Sequence, residues 1–415
     1  MSRIDELIQR LCPDGVEYKP LGEIGTFVRG NGLQKKDFVD HGVGCIHYGQ
    51  IYTYYKTFAT ETKSFVSEEK ALKLKKAHPG DLIIATTSEN TEDVCKAVAW
   101  LGKEDICISG DAYVYHHSQN PKYLAYIFQT QSFYDHKKKF ATGTKVIRLS
   151  DSAMGKFQCP IPPLPVQEEI VRILDKFTAL EAELEAELEA RRKQYEFYRD
   201  QLLTFGDEVE WKPLGEIIIS LRTGLNPRKN FNLNTPDASN YYVTVRELNG
   251  TSVVFHDKTD RINDDALRLI NNRSKLEKGD LLFSGTGTIG RTAFISETPV
   301  NWNIKEGVYV IKPQQGKINS KYLLYILNAT KIRQQIANKV VGSPVSSIPM
   351  AELKKIRIPI PPLAEQERIV AILDKFDALV NDISSGLPAE LEMRRKQYEY
   401  YRDRLLTFKP LAKEA

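Results

Sequence analysis

The chain has 415 residues, 41% of them hydrophobic and 27% charged, enough for two or more domains that each bury a core. Its 58 Lys and Arg stand against 54 Asp and Glu, a net charge of only +4, which excludes a strongly basic coat protein and confines nucleic-acid binding to local patches. Cys12, Cys45, Cys95, Cys107 and Cys159 are odd in number and show no CxxC spacing, and no apolar run reaches the roughly 18 residues a membrane span needs. Reduced thiols in a cytoplasmic protein are therefore expected.

Residues 2–11 form a charged amphipathic start, not a signal peptide. A first globular segment, about residues 16–155, offers apolar strands at 81–85 and 112–115, followed by a helix-periodic stretch at 121–133. It closes on Pro160, Pro162 and Pro163, a stiff extended exit that can continue neither a helix nor a central strand. A long helix is expected from Gln167 to Phe205, roughly 58 Å at 1.5 Å per residue. The positions of its stripe step by three and four: Ile170, Ile173, Phe177, Leu180, Leu184, Leu188, Arg191, Tyr195, Tyr198, Leu202, Phe205. This is a coiled-coil stripe with one stutter at Leu184–Leu188, and its length calls for a second helix as partner.

The second half of the chain repeats the first. Residues 161–180 (IPPLPVQEEIVRILDKFTAL) return at 360–379 (IPPLAEQERIVAILDKFDAL) with 15 of 20 positions identical, and residues 191–205 return at 394–408 with 13 of 15 identical. KPLGEI occurs at 19–24 and again at 212–217. A period this long means one structural unit used twice, not a short-repeat solenoid. Strands are expected at 281–284 and 307–311 and a helix at 320–337, matching the first copy, although the globular segments otherwise diverge. A constant helical frame thus carries two variable inserts, which points to different tasks for the inserts. The second helical stretch holds Gly386 and Pro388, which cost about 1 and 3 kcal/mol inside a helix, so a break with a restart at Pro388 is expected. Two such units give an antiparallel helix pair. The helix ending at Phe408 can then occupy the place that the N-terminal segment 16–21 lacks before it, bringing the termini together.

The paired motifs IPPLxxQExIVxILDKFxAL and RRKQYExYRDxLLTF, with residues 4–24 and 386–408, resemble the specificity subunit of type I restriction–modification systems over essentially the whole chain. The resemblance implies a mixed α/β protein with two target-recognition domains on two long antiparallel coiled-coil helices. Domains are accordingly expected at 1–158 (first recognition domain with the N-terminal segment), 159–206 (central helical spacer), 207–357 (second recognition domain) and 358–415 (distal helical spacer). It also implies that each recognition domain reads half of a split, asymmetric site on double-stranded DNA. The helices would set the unread spacer and dock two modification (methyltransferase) subunits, with restriction (translocase/nuclease) subunits joining the complex. S-adenosylmethionine, and ATP with magnesium, would bind those partners and not this chain. The tandem EAELEAEL at 181–188 is where spacer length would be set.

For DNA contact, Arg, Lys and Asn are the side chains suited to phosphates and base edges, and glycines permit close backbone approach. The first copy offers Arg29, Asn31, Lys35 and Lys36 after KPLGEI, and later Lys137, Lys138 and Lys145. The second offers Arg222, Asn226, Arg228 and Lys229, then Arg291 and Lys339. On the helices, Phe177, Leu184, Leu188, Tyr195, Tyr198, Leu202, Phe376, Leu379, Tyr398, Tyr401 and Leu405 are candidates for helix pairing or partner docking. Residues 285–292 (GTGTIGRT) imitate a phosphate-binding loop after a strand, yet a strand-like segment and Pro299 follow where a helix is required. His116 and His117 near Cys107 lack metal-ligand spacing. No DPPY-like methyltransferase motif or helicase loop occurs, so a non-catalytic chain is expected. The alternatives are a phosphate-loop nucleotide-binding enzyme and a purely structural coiled-coil adaptor.

Overall fold

The computed structural model describes residues 2–342, 345–382 and 384–412, with Lys229 described through its backbone alone. The chain divides into two compact units, one formed by residues 1–183 with 392–415 and the other by residues 184–391. The units are not the sequence copies. The helix Leu164–Leu202 supplies its first half to one unit and its second half to the other, and residues 392–408 complete the unit that holds the N-terminus.

The first unit opens on the helix Arg3–Leu11, capped by a reciprocal Ser2–Asp5 box. Its main sheet has five strands in the order Gly25–Arg29, Ala112–His117, Leu82–Ala85, Lys96–Trp100, Phe58–Ala59. The strand Leu82–Ala85 is buried on both faces, which is why it reads as an unbroken apolar run and not an alternating one. A second sheet of four strands packs Cys45 and Cys107 in register on neighbouring strands. All five cysteines are free and buried.

The second unit repeats the central part of this plan. Its four strands run in the order Ile218–Thr223, Val308–Pro313, Leu281–Ser284, Thr292–Phe294, beside a three-stranded sheet around Asn240–Val243. Each stretch expected to form one helix after the last strand of the main sheet forms two. They are Pro121–Ile127 and Gln131–Phe140 in the first unit, and Ser320–Asn328 and Thr330–Ala337 in the second. In the first unit the break has a visible cause: the Thr130 hydroxyl accepts from the Phe133 N–H and caps the second helix.

The proline-rich exits are extended, and each pairs with its own KPLGEI entry in a two-stranded ladder. Such a ladder has only edges, so prolines are tolerated there. The exit is locked to the globular region by the same bonds in both units. Gln167, fully buried, accepts from the Asn120 N–H and donates to the Pro162 carbonyl; Gln366 does the same with Asn319 and Pro361. The Tyr123 and Tyr322 hydroxyls donate to the carbonyls of Pro160 and Pro359. Asp175 takes Lys122 and Tyr126 at 2.7 Å each, and Asp374 takes Lys321 and Tyr325.

The long helix starts at Leu164, three residues before the expected Gln167, and spans 39 residues. In the first unit it meets the helix Leu387–Leu405 in antiparallel fashion: Phe177 stacks on Tyr401 at 5.5 Å, and one turn on Glu181 accepts from Arg395 at 2.6 Å. Tyr398 is buried and donates to Gln129. In the second unit Tyr195 and Tyr198 pack on Phe376, while Leu184, Leu188 and Leu202 join a core that includes Leu373 and Leu391. Leu405 is partly buried against the first core, whereas Leu379 is 39% exposed. The helix Leu363–Asn381 stops, and the next begins at Leu387 with Pro388 in its first turn, as Gly386 and Pro388 require. Asp382 holds Ser384 and Ser385 across the gap, and these bonds keep its carboxyl near about 2. At the C-terminal end the Val16 N–H donates to Lys409, and Leu411 donates back to Val16, so the tail fills the place left open before residue 16.

Candidate nucleic-acid interface

In both units one end of the main sheet gathers the loops that carry the basic candidates. In the first unit Arg29, the last residue of its strand, lies opposite Tyr113, while Ala112 lies opposite Ala85 and Ala85 opposite Lys96. The segments after residues 29 and 85 and before residues 96 and 112 therefore share that end. In the second unit Thr223 lies opposite Tyr309, Ser284 opposite Val308 and Phe283 opposite Thr292, which gathers the equivalent loops.

A late hairpin joins each loop end. Thr87 and Ser88 pair with Arg148 and Ile147, and Thr142 exchanges both backbone hydrogen bonds with Arg148 at 2.9 Å. In the second unit Thr286 bridges Ser347, and Val341 exchanges both bonds with Ser347 at 2.8 Å. The turns rest on Gly143 at φ +103° and Gly342 at φ +101°, where an L side chain is strained and a Cβ would press on the carbonyl of Val146 or Val345. Lys145 is exposed on the first of these turns.

Arg29 is exposed, with its Nε donating to the Gly110 carbonyl, and Gly30 behind it leaves no room for a Cβ against Ser109. In the second unit the register place of Arg29 is held by the buried Thr223, and Arg222 stands one position earlier, exposed and reaching the Arg273 carbonyl at 3.4 Å. Arg291 is exposed at the end of the glycine turn, and Asn226 sits half-buried before the short helix Pro227–Asn230, on which Arg228 is exposed. The Lys229 side chain lies outside the described residues. Lys35 and Lys36 are exposed in the turn Lys35–Asp37, and Lys138 is exposed in the last turn of Gln131–Phe140.

Three candidates are committed elsewhere. Lys137 is a correction: it is only 5% exposed, its ammonium donates to the carbonyls of Glu92 and Val94 at 2.6 and 2.9 Å, and burial pushes its pKa down. It cannot reach a phosphate and instead anchors the loop at 88–95. Asn31 uses both ends of its amide on residues 73–75, accepting from the Lys75 N–H and donating to the Lys73 carbonyl, so it pins a loop. Lys339 is paired at 2.9 Å with Glu352, whose carboxyl the Lys355 and Lys339 ammoniums hold near about 2.

Arg148 and Arg273 belong to these loop ends although neither is among the sequence candidates. Arg148 was open to view, because it closes the same turn as Lys145. Arg273 was not, because it reaches residue 223 only through the fold. The phosphate-loop imitation fails on geometry: residues 285–291 form a turn with Gly287 and Gly290 at positive φ, and they run into the strand Thr292–Phe294, so no helix N-terminus faces it. Among the described residues no group of three or more His, Cys, Asp or Glu is arranged to hold a metal. No described helix is long and apolar enough to cross a membrane.

A duplicated α/β unit, with basic loops gathered at one end of its sheet and a helix pair at the exit, defines a two-module recognition protein. Residues 13–190 and 206–393 each match the type I restriction modification DNA specificity domain, and the chain belongs to that family. A type I restriction enzyme specificity subunit of Escherichia coli is 38% identical over 291 residues, and the chain spans 66% of its length with 66% of its own. A putative type I restriction enzyme specificity subunit of Haemophilus influenzae is 30% identical over 406 residues, covering 95% of this chain and 96% of the relative. A solved chain from a study of assembly and conformational transition in the type I system matches with a TM-score of 0.59 at 18% identity, covering 95% of this chain and 98% of that one; this likeness is one of fold.

Proposed function

We propose that this chain is the DNA sequence-recognition subunit of a type I restriction–modification complex, each unit reading one half of a bipartite, asymmetric site through its loop end. The observation that carries this is the repetition of a basic loop end, Arg29 with the Gly143 turn and Arg222 with the Gly342 turn, on two units whose loop sequences otherwise differ. Shared architecture with divergent loops is what two different half-sites require.

The helices dock two copies of one partner, the modification subunit. Exposed apolar side chains recur at equivalent places on the two helical stretches: Phe197 and Tyr400 at 64% and 60%, Leu164 and Leu363 at 49% and 41%, Leu180 and Leu379 at 49% and 39%. Large apolar groups left in water twice over favour a repeated protein contact over chance exposure. The chain itself performs no chemistry and works in the cytoplasm. S-adenosylmethionine, ATP and magnesium belong to the modification and restriction subunits. The EAELEAEL segment within the long helix sets the unread spacer, so one EAEL unit more or less changes the gap and leaves both half-sites intact.

The test is a map of methylated adenines in DNA exposed to the chain with its modification subunit. A split motif with two short specified halves around a fixed gap supports the reading. A contiguous motif, or none with an active modification subunit, overturns it. Duplex affinity must also fall as salt rises, since phosphate contacts release counterions; a salt-independent affinity would favour a structural adaptor.

A further inference from the structure

The two loop ends carry opposite charge at one equivalent place. After the residues that pair with the late hairpin, the second unit has Gly287, Thr288, Ile289, Gly290 and Arg291, with no carboxylate. The first unit has residues 88–95, SENTEDVC, with three carboxylates. Two of these are used internally. Asp93 accepts from the Asn90 amide at 2.8 Å and its own N–H returns to Asn90 at 2.7 Å, while Glu92 accepts from the Tyr134 hydroxyl. The loop is also fixed from below by Lys137 on the carbonyls of Glu92 and Val94, and it ends on Cys95 at φ +65°. Glu89 is left. It is exposed, one step past Ser88 in the ladder against residues 147–148, and among the described residues it has no hydrogen-bond or ion-pair partner. Across the ladder Ser88 lies opposite Ile147, which leads back to the turn that carries Lys145, and the exposed Arg148 lies opposite Thr87, two residues before Glu89.

An unpaired carboxylate on a loop that approaches DNA would repel phosphates and weaken binding to any sequence. It is compensated where it accepts a hydrogen bond from a base edge, and the major-groove donor suited to a carboxylate is the cytosine N4 amino group. We infer that Glu89 is a specificity-determining residue of the first unit, accepting from a cytosine amino group in the half-site that this unit reads. The inference rests on the recognition reading above and names one contact within it.

The experiment uses the full chain assembled with its modification subunits. Binding is measured at fixed salt on duplexes in which each specified base pair is replaced in turn, for wild type and for Glu89→Ala. The expected result is a loss of discrimination of about fivefold or more at one cytosine position of one half-site. The other half should be unchanged, and affinity for unrelated duplex should be equal or higher because a repulsive charge is gone. Unchanged discrimination everywhere, a uniform loss across all sequences, or relaxation at a base other than cytosine would each overturn it. Failure of the underlying reading looks different, because the wild-type complex would then recognise no split site.

Discussion

The exits of the two units and their loop ends make an instructive contrast. At the exits the principal bonds recur: Gln167 and Gln366, Tyr123 and Tyr322, Asp175 and Asp374 find the same partners 199 positions apart, although Gln167 also donates to Gln119 where the second unit has Ile318. At the loop ends the late glycine turn recurs, whereas the arginines 29 and 222 are offset by one register step, and the loop at 88–95 is acidic where its counterpart is glycine-rich and basic. A joint that must present both units alike to a helical frame leaves no freedom to vary. A surface that meets different bases must vary, and the backbone beneath it tolerates this because only the hairpin geometry is shared.

The sharpest way to break that contrast is to cut the joint. Gln167→Leu and Gln366→Leu each leave a buried N–H and a buried carbonyl without a partner, a loss of about 2–4 kcal/mol. The two substitutions should lower the thermal stability of the chain by similar amounts, read by calorimetry of the full chain. A large effect from one and none from the other would show that the joints are alike in geometry but not in function.

The next effect is a pH dependence peculiar to the first unit. His117 has both ring nitrogens buried without a hydrogen-bond partner among the described residues, and burial pushes its pKa from 6.5 down to about 4. The unfolded chain therefore takes up the proton first. The stability of neutral burial is fully present above pH 6.5 and is lost as pH falls toward about 4. The loss should reach about 3 kcal/mol, and His117→Phe should flatten the urea midpoint against pH across this window. An unchanged slope in the variant would assign the acid sensitivity elsewhere.

Gly143→Ala and Gly342→Ala probe the one loop feature that the units share. Each forces a side chain into positive φ against a backbone carbonyl, at a cost of about 1–3 kcal/mol. Each should weaken discrimination in its own half-site and leave the other intact, measured by the methylated motif.

Much of this was legible in the chain, and the misses have physical reasons. The repeat, the hinge prolines and the break at Gly386 and Pro388 are local signals, and the structure carries them. The helices at 121–133 and 320–337 were read too long because apolar periodicity continues through their breaks. Lys339 looked free because Glu352 lies 13 residues away and only the fold brings them together. Lys137 looked like surface because it stands in a run of three lysines. Yet it falls four residues after the buried Phe133, on the same helical face, and that spacing was the signal to use.

Lys137 also supplies the finest test of the contrast. Its ammonium is buried, with no carboxylate at hydrogen-bonding distance among the described residues, and holds two carbonyls of the loop that presents Glu89. Burying a cation on carbonyls is costly, and burial pushes its pKa down; the two bonds to the loop offset that cost by ordering residues 88–95. Lys137→Met keeps the apolar stem and removes the tether. Global stability should change by about 1 kcal/mol or less, because relief of the desolvation cost offsets the lost hydrogen bonds. Hydrogen exchange at the amides of residues 88–95 should nevertheless rise, while exchange at residues 285–291, which no buried lysine holds, stays as it was. If both loops exchange as before, the order of the first loop comes from its own Asn90–Asp93 bonds, and Lys137 merely fills space.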